Sequence, residues 1–236
     1  MRTTMWQGGD PVLTRRTLLG SAVIGGAVVS GLGRGLARAA DPAGDASRVP
    51  PAAAWQRLVE GNARFAEGKA AGPRRDRARV TEVAGTQRPF AAVLGCADSR
   101  VPPEIVFDQG VGDLFVVRNA GNVVTSEGIA SLEYGTLVLG ASVLVVCGHS
   151  ACGAVKATIA GDAVPGQISA LYQHIMPAVD RAGKDLDGAI HANVEIQART
   201  LKQASPVIAG LVRDGKLAVR GGIYDLSSAR VVPVEV

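Results

Sequence analysis

Cys96-Ala97-Asp98-Ser99-Arg100 and His149-Ser150-Ala151-Cys152 put two thiols, an imidazole and an oppositely charged pair at the ends of two apolar runs. Thiolate and imidazole together suit zinc. A structural zinc fills four positions with protein ligands, whereas a catalytic zinc commonly takes three and leaves the fourth to water. The evident ligands are three, Cys96, His149 and Cys152, and that count points to an open site. His149-x-x-Cys152 alone is a weak signal; Cys96 at the end of a second run strengthens it. Cys147, two residues before His149, reads as a small buried apolar residue facing the other side of its strand. Asp98 can be a fourth ligand, a partner of Arg100 or a solvated loop acid. The spacing favours a bidentate pair with Arg100 that orients the carboxylate toward metal-bound water. If that pair opened, Asp98 could close the fourth position.

Residues 96 and 149 meet only if the elements before them end side by side. Short apolar runs at 90–95, 114–117 and 142–147 suit strands buried on both faces. Helical periodicity lies between and around them, at 52–67, 125–139, 154–160, 168–179 and 191–204, with Pro206 starting or kinking another helix. Such alternation predicts an α/β fold with a mainly parallel sheet, a later strand at 217–224 and a final strand in the tail 230–236. In such sheets ligands gather beyond the carboxyl ends of strands, where Cys96 and His149 fall. Segment 69–88, with five Arg after Lys69, reads as a solvated loop or arm. His174 and His191 read as helix-surface or packing residues. Gly110-Val111-Gly112 and Gly121-Asn122 are turns, since no dinucleotide-type G-x-G-x-x-G joins a strand to a helix.

The first 40 residues read as an address. Thr14-Arg15-Arg16-Thr17-Leu18-Leu19 is a twin-arginine pattern, followed by a small-residue apolar stretch and by Ala37-Arg38-Ala39, a cleavage signal. The expectation is export by the twin-arginine machinery to the periplasm, cell wall or medium. Residues 41–51 read as a linker and 52–236 as one domain. Residues 1–40 hold five Arg and one Asp, so the remainder of the 25 basic and 21 acidic residues balance at 20 each. The net charge of +4 therefore belongs to the leader, and the domain gives no electrostatic reason to bind nucleic acid. In an exported chain Cys96 and Cys152 could pair as a disulfide instead of binding zinc; zinc loaded before export would protect both.

Cys96-Ala-Asp98-Ser-Arg100-Val-Pro, Arg118-Asn119-Ala-Gly-Asn122 and Gly148-His149-Ser-Ala-Cys152-Gly153 resemble the signatures of β-class carbonic anhydrases, and the resemblance runs from about Trp55 to the C-terminus. It implies Cys96, His149 and Cys152 as Zn2+ ligands and Asp98 with Arg100 as the dyad that gates the fourth position. It implies zinc-dependent hydration of CO2 to bicarbonate, by attack of zinc-bound hydroxide, in a homodimer or larger homo-oligomer. The implied sheet has order 2-1-3-4 with an extra antiparallel edge strand. Gln87, Phe115, Tyr134 and Gly153 match substrate-binding positions of the always-open type. The type that closes on bicarbonate carries Trp three residues before the first Cys, where this chain has Val93, so little bicarbonate-driven closure is expected. In the implied dimer the helix around Trp55 wraps the partner, and Gln87 serves the neighbour's site. The rival readings are a hydrolase of carbonyl sulfide or carbon disulfide on the same fold, and a catalytically silent zinc-stabilised binding dimer.

Overall fold

The computed structural model describes residues 48–236. The expected leader 1–40, and the linker as far as residue 47, lie outside the described residues.

Five strands form one sheet: β1 (Ala91–Cys96), β2 (Leu114–Asn119), β3 (Val143–His149), β4 (Ala218–Tyr224) and β5 (Val231–Val234), in the order β2-β1-β3-β4-β5. The first four are parallel and β5 runs antiparallel on the β4 edge, as the sequence led us to expect. Every residue of β1 and β3 is buried. Their small and branched side chains alternate between two cores, because successive residues of a strand face opposite ways. Ala92, Leu94, Leu144 and Val146 pack with Val194, Leu201 and Ile208 on one face; Ala91, Val93, Val143, Val145 and Cys147 pack with Leu58, Val106 and Phe107 on the other.

Helices cover both faces. α1 (Pro51–Ala66) opens on a proline, which suits a first turn whose N–H has no partner in the helix, and buries Leu58 completely. α2 (Arg77–Val83) and α3 (Pro103–Val106) are short. α4 (Ser126–Glu133), capped by the Thr125 hydroxyl on the Gly128 N–H, runs into a π-helical turn at Tyr134–Val138, so the helix expected over 125–139 changes pitch midway. α5 (Gly153–Ala160) and α6 (Tyr172–Ala182, entered through a 3₁₀ turn at Ile168–Leu171) follow β3. α7 (Leu186–Ala204) begins five residues before the expected 191, because Asp185 caps it and Ala189 and Ile190 already face a core. α8 (Pro206–Arg213) starts at the proline, with Ser205 Oγ accepting from Ile208 N–H.

The expectation of a solvated loop or arm over 69–88 holds only in part: most of the segment is exposed, but it is ordered against the body of the protein. Asp76 caps α2 through the Arg79 N–H, and Arg74, Arg75 and Arg79 are tied to a distant turn. Arg74 donates to both oxygens of Asp113 at 3.0 Å, Arg75 Nε to the Gln109 carbonyl at 3.0 Å and Arg79 Nε to the Val111 carbonyl at 2.9 Å. Asp108, fully buried, accepts from Arg64 Nε and from the N–H groups of Ala71 and Gly72. Arginine stems pack while their forks bind, so a basic segment lies down wherever buried acids meet it.

Candidate metal centre

β1 and β3 are adjacent parallel strands with Gly95 opposite Cys147, so Cys96 and His149 emerge together at the carboxyl edge of the sheet. Cys152 returns to them through a tight turn in which Ala151 takes a left-handed conformation, φ 55°, before α5 begins. That conformation is unfavourable for a residue with a Cβ, and the surrounding structure fixes it. Glycine makes room behind the turn. A Cβ on Gly148 would stand 2.7 Å from Val194 Cγ2.

The two sulfurs and one ring nitrogen lie within 4.8 Å of one another, all on buried residues. His149 is fully buried, and its Nε2 has no hydrogen-bond partner among the described residues, while Nδ1 lies 2.9 Å from the Ser150 carbonyl. A proton on Nδ1 satisfies that carbonyl and leaves the Nε2 lone pair for a cation. The Gly121 N–H donates to Cys96 Sγ at 3.3 Å. Soft sulfur with imidazole suits Zn2+, and a buried orphan nitrogen beside two thiols is the observation that fits it.

The electrostatics agree. The Cys152 thiol pulls the Cys96 pKa down, helped by His149 and Gly121 and opposed by burial, while Cys152 itself is pushed up by its neighbour sulfur. Burial works against charge on His149, but the Cys96 sulfur, the Ser150 carbonyl and Asp98 outweigh it and raise its pKa. Such a cluster holds positive charge, as a proton or as a metal ion. Cys147 points into the opposite core, where burial pushes its thiol up to about 12. It stays a neutral packing residue.

Asp98 borders the cluster, its Oδ2 3.8 Å from His149 Nε2, but it is not one of the mutually close donors. Arg100 holds both its oxygens and its own N–H donates to Oδ1, so of the three readings the pair with Arg100 is the one realised. The Arg100 fork, foremost, holds the Asp98 carboxyl well below the usual range. Arg118 clamps the loop: Nε donates to the Cys96 carbonyl at 2.8 Å and Nη2 to the Asp98 carbonyl at 2.6 Å. Its place in the Arg118-Asn119-Ala-Gly-Asn122 motif was the available signal. Ser150 and Gly121 act through a carbonyl and an N–H, which no side-chain pattern reveals.

Gly153 follows Cys152 at the first turn of α5 and faces open space. The other expected substrate residues are elsewhere. Phe115 pairs with Ala92, four residues down β1 from Cys96 and so about 13 Å away along the strand. Tyr134 packs against it at a tilt of 50°, with ring centroids 6.3 Å apart, and is 48 % exposed at the start of the π-helical turn. Gly135 permits the approach, since a Cβ there would lie 2.6 Å from the Phe115 ring. Gln87, exposed, precedes β1 and sits at the opposite end of the sheet from Cys96. His174 and His191 stay outside the centre; His191 is 51 % exposed and pairs with Glu195.

A mainly parallel α/β sheet carries at its carboxyl edge a three-donor Cys–His–Cys cluster that could hold a metal ion. The sequence profile of the carbonic anhydrase family matches residues 91–231, and the chain belongs to that family, in its β class. It is 38% identical over 190 residues to carbonic anhydrase 2 of Mycobacterium tuberculosis, spanning 77% of this chain and 92% of that protein. With the carbonic anhydrase of Mycolicibacterium smegmatis it shares 39% over 191 residues, again 77% and 92% of the two chains. The fold matches the β-carbonic anhydrase CcaA with a TM-score of 0.61 at 30% identity, over 76% of this chain and 86% of that one. It also matches the Coccomyxa β-carbonic anhydrase, solved with acetazolamide, with a TM-score of 0.60 at 31% identity over 75% and 84%.

Proposed function

We propose that this chain catalyses the reversible hydration of CO2 to bicarbonate and a proton, with zinc held by Cys96, His149 and Cys152. The observation that carries the reading is the buried three-donor cluster with the Arg100-held carboxylate of Asp98 at its border. Zinc bound there supplies the Lewis acidity that turns water into a nucleophile near neutral pH, a role familiar from carbonic anhydrases whose zinc is held by three histidines. Asp98, kept ionised by Arg100, accepts a hydrogen bond from the attacking water and so aims its remaining lone pair at the carbon of CO2. Arg118 fixes the backbone that carries Cys96 and Asp98. Ser150 fixes the ring of His149.

Gln87, Phe115 and Tyr134 complete the site in a homodimer, each copy lending them to its neighbour. Their distance from their own chain's centre and the exposure of Tyr134 support this reading. Gln87 donates to a substrate oxygen; Phe115 and Tyr134 supply the apolar wall that CO2 needs, and Gly153 leaves the approach open. Residues 1–40 direct export by the twin-arginine route, and replacing both Arg15 and Arg16 by Lys should leave the protein in the cytoplasm. Fractionation that finds the variant exported as before overturns that part.

The test of function is stopped-flow CO2 hydration by metal-analysed dimer. Zinc-dependent turnover supports the reading. Turnover of carbonyl sulfide without CO2 hydration transfers it to the sulfur analogues. An Asp98→Ala variant that keeps both zinc and an unchanged low rate leaves only a binding role.

A further inference from the structure

We propose that Arg79 is a positioning residue for the reaction: it anchors α2 to the Gly110–Asp113 turn and thereby holds Gln87 where it can reach substrate. The inference rests on the reading of Gln87 given above.

α2 is a helix with no buried residue. Of its seven positions only Arg79 and Val83 are part-buried, four apart on one helical face. Both meet the same glycine. A Cβ on Gly112, which has φ 79°, would lie 3.4 Å from Val83 Cγ1 and 3.5 Å from Arg79 Nη2. The Arg79 side chain is only 16% exposed and uses all three nitrogens: Nε to the Val111 carbonyl at 2.9 Å, Nη1 to Glu82 at 2.9 Å and Nη2 toward Asp113 at 3.7 Å.

The segment carrying Gln87 leaves α2 and returns to that same turn, where the Phe90 N–H donates to the Asp113 carbonyl at 3.0 Å. Gln87 thus lies on a short bridge with both feet on one turn. The downstream foot is part of the sheet. Arg74 and Arg75 hold the chain just before α2 to this turn, but within α2 the upstream foot is Arg79 and Val83, the two part-buried positions of the helix. Asp113 keeps Arg74 and the Gly110 N–H without Arg79, so losing the guanidinium loosens the end of α2 that leads to Gln87 and leaves the turn standing. A displacement of about 1 Å in a substrate-binding group is enough to slow a reaction severalfold or more.

The experiment is a double-mutant cycle on the zinc-loaded dimer, read as kcat/KM for CO2 hydration, using Arg79→Met, which keeps the packed stem, and Gln87→Ala. Each single change is expected to lower kcat/KM about tenfold, the worth of one hydrogen bond to substrate. The double variant is expected to be no slower than either, because both remove the same contact. Arg79→Lys should recover part of the rate. Hydrogen exchange over 77–88 should quicken in Arg79→Met with zinc content unchanged. If Gln87→Ala is slow while Arg79→Met matches the parent, or if the two effects multiply, the positioning role is wrong and Gln87 keeps its place. If Gln87→Ala matches the parent, the reading of Gln87 itself falls. Should Arg79→Met not fold, Val83→Ser releases the same foot and is judged by the same cycle.

Discussion

Arg100 grips Asp98 with two arms, Nε 2.9 Å from Oδ1 and Nη2 2.7 Å from Oδ2. The pair stands at the mouth of the centre, with Asp98 82% and Arg100 less than half covered, so its worth lies in orientation more than in stability. Asp98→Asn keeps the shape and removes the charge. Stopped-flow kcat/KM for CO2 should fall by about 10²-fold with zinc retained. Arg100→Leu, which frees the carboxylate to rotate, should cost about tenfold.

The candidate ligands and Cys147 should behave differently under metal analysis. Cys152→Ser or His149→Ala removes one of three donors and should bring zinc after dialysis well below one per chain. Cys147→Ala should keep full zinc and lose only about 1 kcal/mol of stability, since its sulfur packs in the opposite core. Zinc loss from Cys147→Ala would show that the strand faces are assigned wrongly.

Acid should weaken the fold through Asp108. Burial pushes its carboxyl up, but the N–H groups of Ala71 and Gly72 and the Arg64 guanidinium outweigh it, so the folded pKa lies below the ordinary value. The stabilisation is therefore complete above about pH 4, near the unfolded value, and is lost as pH falls from there through the lower folded value. Asp108→Asn should lose about 3 kcal/mol at pH 7 by urea unfolding. It should also show a shallower loss than the parent between about pH 5 and pH 3, on either side of the unfolded value of about 3.9.

Gly61→Ala inverts the usual helix rule. Inside a helix the change ordinarily gains up to about 1 kcal/mol. In α1 the new Cβ would stand 1.9 Å from the Phe107 carbonyl oxygen. Helix and turn must separate, and thermal unfolding should report a loss of about 2 kcal/mol.

The sheet was legible because its central strands are buried on both faces, which leaves runs such as Ala91–Cys96 and Val143–His149 as short unbroken apolar stretches. The helix at 52–67 was legible from its periodicity and from the glycine at its end. The 69–88 segment was not. Arg74 and its partner Asp113 are 39 residues apart, and no local pattern tells a basic loop in water from one laid against a buried acid. The π-helical turn at Tyr134 was hidden for a related reason: its sequence is compatible with an ordinary helix, and the change of pitch accompanies the packing of Gly135 against Phe115.

For the centre, residue chemistry pointed to Cys96, His149 and Cys152 as candidate donors, set Cys147 aside and favoured the pairing of Asp98 with Arg100, because ligand type and close spacing are local properties. Tertiary structure decided the rest. Parallel pairing of β1 with β3 brings residues 96 and 149 to one edge, and the left-handed Ala151 turns Cys152 back toward them. Backbone groups of Gly121 and Ser150 tune the sulfur and the ring. Pairing of β2 with β1 puts Phe115 opposite Ala92 at the far end of the sheet, the end at which Gln87 precedes β1. A strand keeps residues four apart about 13 Å from each other, whatever motif they share.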